Sequence, residues 1–100
     1  MTARWQKGWP LVARLLFSNQ FLDDAATIWS PRVNERLHGV LRMIERFPES
    51  GSACRRAPIT DQFGPGVRTC AISPFDLVYR YDRESDTVYL YGLVNQKTAR

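Results

Sequence analysis

The apolar positions change period along the chain. "PLVARLLF" (Pro10–Phe17) is a short, nearly continuous apolar run between a proline and Ser18-Asn19, and it predicts a strand. Pro10 cannot donate to a ladder, so that strand belongs at a sheet edge or starts at the proline. Phe21, Leu22, Ala25, Ile28 and Trp29 then recur at helical spacing behind a Ser18 or Asn19 cap. Asp23 and Asp24 sit near the positive end of that helix. Pro31 ends it, because the residue before a proline avoids the α region.

A second helix starts with Ser30 as cap and Pro31 at the first helical position. Val33, Leu37, Val40, Leu41, Ile44 and Phe47 form one apolar stripe; Arg32, Glu35, Arg36, Arg42, Glu45 and Arg46 take the rest of its surface. Pro48 and Gly51 stop it. Gly39 costs about 1 kcal/mol relative to Ala inside a helix, which points to close packing on a neighbour. Residues 51–66 hold three Gly and two Pro and predict a loop, long enough to suggest a functional role.

From Val67 onward the period is two. "VRTCAIS" is a strand. "PFDLVYRYD" places Phe75, Leu77, Tyr79 and Tyr81 on one face and Asp76, Val78, Arg80 and Asp82 on the other. "RESD" is a hairpin loop, and "TVYLYGLV" returns antiparallel. The order β-α-α-β-β-β predicts an α+β fold, a two-helix hairpin on one face of a small, mainly antiparallel sheet. The other face is left partly open, with the polar alternates.

One hundred residues make a single domain, with 1–8 expected as a flexible N-terminal segment. No apolar run approaches the ~18 residues of a membrane helix. "MTARWQKGWP" has no signal-peptide core, so a cytoplasmic protein without membrane partner is expected. With Cys54, Cys70 and the single His38, the chain lacks the roughly four ligands of a zinc site. No metal or cofactor is expected, and the cysteines read as buried or half-buried free thiols. The net charge of +4 is carried almost wholly by arginine, since only Lys7 and Lys97 are lysines. Arginine's planar fork suits a phosphate-bearing or acidic partner, although an arginine-rich genome gives the same count.

Three runs, in this order and spacing, carry a resemblance: "ERFPESG", "GPGVRTCAISPFDLVYRYD" and "TVYLYGLVNQ". They resemble the RelE/ParE superfamily of bacterial toxins, over roughly residues 9 to 97. In that family the helical hairpin packs on a curved sheet, and a cognate antitoxin holds the toxin inactive in a hetero-oligomer. The chain's two ends look like YhaV-type toxins, which are ribonucleases acting on translation. "FPESG" and "GPGVRT" look like ParE-type toxins, which poison DNA gyrase and carry no ribonuclease residues. The resemblance implies a type II toxin acting first by ribosome-associated, metal-independent mRNA cleavage. Gyrase inhibition is the alternative, and a degenerate member that only binds its antitoxin is the second.

Cutting RNA through its own 2′-hydroxyl needs an activated hydroxyl, cations on the phosphate and an acid for the leaving oxygen. Arg68 stands where the family has a basic strand residue; otherwise it pairs with Asp61, Asp76 or Asp82. Arg80 either meets phosphate on an open sheet face or joins a cross-strand ion pair. Lys97 falls where the family has a basic residue past the last strand. Arg68, Lys97 and Arg80 are thus the candidate catalytic residues. Asn95, Arg55, Arg56 and Arg100 are the candidate substrate-binding residues, with strand capping as the other role for Asn95. Asp76 departs from the ribonuclease pattern, which has arginine there; an ion-paired carboxylate is the favoured reading over a general base. The family's catalytic tyrosine falls beyond Arg100, while Tyr79, Tyr81, Tyr89 and Tyr91 read as strand packing. His38 reads as exposed helix surface.

Overall fold

The computed structural model describes residues 12–97. Its elements are β1 (Arg14–Phe17), α1 (Asn19–Ala26), α2 (Pro31–Arg46), β2 (Ser52–Ala53), α3 (Ala57–Phe63), β3 (Arg68–Ile72), β4 (Phe75–Asp82) and β5 (Thr87–Asn95). The strands form one sheet in the order β1-β5-β4-β3-β2. β1 runs parallel to β5, and the other pairs are antiparallel. The α+β architecture and the four-residue hairpin loop 83–86 match the pattern. β1 sits at an edge as expected; Pro10 and residues 1–8 lie outside the described residues.

Both helices start on serine hydroxyls. Ser18 Oγ accepts from Phe21 N–H at 2.9 Å, and Ser30 Oγ accepts from Val33 N–H at 3.4 Å. The apolar stripe delivers Phe21, Val33, Leu37 and Ile44 onto Leu77, Tyr79, Val88, Leu90 and Leu93 of the sheet, which forms the main core. Three details differ from the helical pattern. α1 stops at Ala26, where the Thr27 hydroxyl donates to Asp24 C=O at 2.6 Å. Ser30 must be extended (φ −80°, ψ 120°) to cap α2, so the chain turns early. Ile28 then reaches the core from the linker, while Trp29 stands 90% exposed. Phe47 leaves the stripe because its backbone has already left the helix (φ −130°, ψ 75°).

Gly39 does not mark close packing. A Cβ there would meet nothing within 4 Å, and the residue opens into a groove lined by Val12, Met43 and Phe47. Gly39→Ala is therefore expected to stabilise the fold by about 0.5–1 kcal/mol. Urea unfolding should show a higher midpoint at unchanged slope; an unchanged or lower midpoint contradicts the placement.

β1 covers the β5 edge only as far as Phe17↔Leu90. Beyond it α1 takes over: Ser18 Oγ donates to Tyr91 C=O at 2.9 Å, and Leu93 N–H donates to Asp24 Oδ2 at 3.0 Å. The exposed edge groups of β5 are thus satisfied by side chains of a helix. The β4–β5 register slips once, from Val78↔Gly92 to Tyr79↔Leu90, leaving Tyr91 as the extra residue of a bulge.

The segment read as a loop, 51–66, contains β2 and α3. Across the outer sheet face, Ile59 of α3 joins Val67 and Val78 in a second buried cluster, flanked by Phe63, Tyr91 and Val94. The outer face is therefore half covered. What stays open lies over β1, β5 and the second half of β4.

Candidate functional site

Register places Leu16, Tyr89 and Arg80 in one row across the open part of the sheet. A cleft there has a volume of about 460 Å³ and is lined by Arg80, Asp82, Glu84, Tyr89 and Tyr91. α3 supplies the support behind Tyr91, as the Phe63 ring stacks on it at 6.1 Å with planes 6° apart. Asp82 is turned into the hairpin: its carboxylate accepts from Ser85 Oγ at 2.9 Å and from Glu84 N–H at 3.1 Å. No ion pair involving Arg80 forms among the described residues, whose two bridges are Arg56–Asp76 and Arg83–Glu49. Arg80 thus points into the cleft as an exposed cation, beside the Asp82 carboxylate engaged in the hairpin and the exposed Glu84.

Arg68 lies on the opposite face. It pairs in register with Tyr79, which is fully buried on the helix side. Its Nη1 donates to Gly51 C=O at 2.7 Å and to Glu49 C=O at 3.1 Å. Tyr79 completes the same clamp, accepting from Gly51 N–H and donating to Pro48 C=O, both at 2.8 Å. Burial pushes the Tyr79 phenol above its ordinary value, opposed by the Gly51 hydrogen bond. "FPESG" is therefore a turn held by an arginine and a tyrosine. At the hairpin, Tyr81 donates to Asp86 at 2.6 Å, a bond that pushes its phenol up to about 12.

Asp76 is buried, at 6% exposure, and forms the ion pair favoured for it. Its partner is Arg56, whose Nη2 lies 2.7 Å from Oδ2, rather than Arg68 or Arg80. Gln96 Nε2 donates to the other oxygen at 3.0 Å. The Asp76 hydrogen bond holds the Arg56 guanidinium above its ordinary value, against a smaller effect of burial. One carboxylate thereby fastens both the start of α3 and the end of β5. Asn95 Oδ1 accepts from Lys97 N–H at 2.8 Å, the strand-capping role. Lys97 and Arg55 are exposed, and Arg100 lies outside the described residues. Cys54 and Cys70 are free and half-buried. Among the described residues no group of three His, Cys, Asp or Glu could hold a metal, and no helix is long and apolar enough to cross a membrane.

The structure therefore does not gather the candidate residues into one place. Arg80 faces the outer cleft, Arg68 the helix layer, and Arg56 the second cluster. The cleft's tyrosines and Glu84 were not among the sequence candidates. Tyr89 and Tyr91 alternate correctly for one face, but nothing local says which face is open.

The fold has solved counterparts. The chain is similar to the RelBE toxin–antitoxin complex structure from Mycobacterium tuberculosis, at 20% identity and TM-score 0.66, over 84% of this chain and 98% of that one. It is likewise similar to the Escherichia coli RelBE complex, at 19% identity and TM-score 0.66, over 83% and 95%. A metal-bound toxin from Helicobacter pylori follows at 15% identity and TM-score 0.55, over 85% and 96%. At these identities the likeness shows the fold. No curated protein matches the sequence. A family model described as the ParE toxin of type II toxin–antitoxin systems, parDE, matches residues 15–99. The chain belongs to the ParE toxin family. The match includes the C-terminal stretch whose motif resembles YhaV toxins. Two glycines of the ParE-like run "GPGVRT" take positive φ, Gly64 at 94° and Gly66 at 84°. They turn the chain from α3 into β3, where a side chain would be strained.

Proposed function

We propose that this ParE-family toxin acts by binding DNA gyrase, without cutting RNA, and is silenced by an antitoxin. One observation supports the reading above the others: the cations an RNA-cutting site needs are dispersed over separate parts of the fold, and two of them, Arg68 and Arg56, are engaged. Arg68 holds the 48–51 turn from the helix side, and Arg56 is spent on Asp76. Arg80 shares its cleft with Asp82 and Glu84. A phosphate entering that cleft would meet more negative than positive charge, which disfavours it. Binding to a protein asks for a shaped surface and no acid–base set. For the antitoxin, the groove of about 470 Å³ beside α2 offers Val12, Met43 and Phe47, with Arg42 and Arg46 outweighing Glu45 in its charged lining. That combination suits an acidic amphipathic helix.

Induction without antitoxin separates the readings. The gyrase reading expects arrest of growth with a DNA-damage response and intact transcripts. Rapid loss of translation with cut transcripts returns the mRNA-cleavage reading. Normal growth leaves only a protein that binds its antitoxin.

A further inference from the structure

The outer cleft presents a charge balance opposite to that of the protein as a whole. Its charged lining is Arg80 against Asp82 and Glu84, on a chain of net charge +4. Two tyrosines stand beside these charges. Tyr89 and Tyr91, two residues apart on β5, line the same outer cleft, and Phe63 fixes the second ring from behind. Rigid tyrosines beside an exposed arginine are the composition of protein-contact centres. A nucleic-acid strand brings a phosphate every few ångströms and needs cations along its path, whereas this cleft offers one cation against two carboxylates. A basic side chain fits instead: it can lie over a tyrosine face and reach a carboxylate. Arg80, with no ion pair of its own among the described residues, is left to take a carboxylate of the same partner.

We infer that this cleft is where the toxin grips its protein target, through a segment that inserts a lysine or arginine between Tyr89 and Glu84 and gives a carboxylate to Arg80. The inference rests on the protein-target reading above and specifies its contact surface.

Charge reversal tests it, because the two possible occupants respond with opposite sign. Arg80→Glu, Glu84→Lys and Arg32→Ala are induced at matched level without antitoxin, and each purified variant is melted to verify its fold. Arg80 and Glu84 are exposed, so their melting should stay near wild type. The expected result is at least about a tenfold loss of growth inhibition for both reversals, with Arg32→Ala unchanged. Wild-type inhibition by both reversals overturns the inference. So does Arg80→Glu losing inhibition while Glu84→Lys keeps or gains it, the signature of a phosphate-bearing strand. Gyrase supercoiling by purified enzyme is read separately with the wild-type toxin. Its persistence removes the gyrase reading, whatever the order of the variants.

Discussion

Gly51→Ala is expected to destabilise the protein by about 3–4 kcal/mol, a large part of the total for a domain of this size. The new Cβ would lie 2.5 Å from Tyr79 Oη, 2.8 Å from Tyr79 Cε1 and 3.0 Å from Thr69 C=O. Tyr79 is fully buried and has no room to retreat. Moving it breaks both of its hydrogen bonds, to Gly51 N–H and Pro48 C=O. It also disturbs the carbonyls that Arg68 holds. Tyr79→Phe alone removes the hydroxyl and should cost about 1–3 kcal/mol, by stranding two backbone groups. Because the two substitutions break the same bonds, the double variant should cost less than the sum. Denaturant unfolding of all four proteins measures this. A Gly51→Ala variant within 1 kcal/mol of wild type would show that the turn is not clamped as described.

Arg56→Ala is expected to cost about 2–3 kcal/mol, somewhat less than breaking a fully buried pair, because the arginine itself is half-exposed. The larger part of the loss comes from Asp76, whose carboxylate is left buried with Gln96 alone. Replacing both partners by apolar residues, Arg56→Met with Asp76→Leu, removes the stranded charge and should recover most of the stability. The single substitution should also loosen α3. Hydrogen exchange at residues 59–63 should rise while β4 stays protected. Equal stability of the single and double variants would mean that Asp76 does not depend on its arginine.

The two long periodic segments, α2 and β4, were legible because their periods are uninterrupted and each has a buried face to satisfy. β2 and α3 were not. Pro58 and Gly64-Pro65-Gly66 punctuate a segment whose helix is seven residues long, too short to declare itself locally. Ile59 and Phe63 hold it by packing on strands that arrive later in the chain. Asp76 was recognisable as a departure from the family pattern, but its partner lies 20 residues earlier, with no local signal joining them. Arg68 was a reasonable phosphate ligand by motif; its face is set by pairing with Tyr79, which only the register fixes. The same limit hid the cleft, since Tyr89 and Tyr91 look like packing residues until α3 covers only half of the outer face.

We propose that this ParE-family toxin stops growth through a protein target and not by cutting RNA. The most direct test adds purified toxin to purified bacterial DNA gyrase on relaxed plasmid and, in parallel, to translating ribosomes carrying a defined mRNA. Dose-dependent loss of supercoiling with the mRNA intact is the expected result. Unimpaired supercoiling together with cleaved mRNA would rule out a protein target.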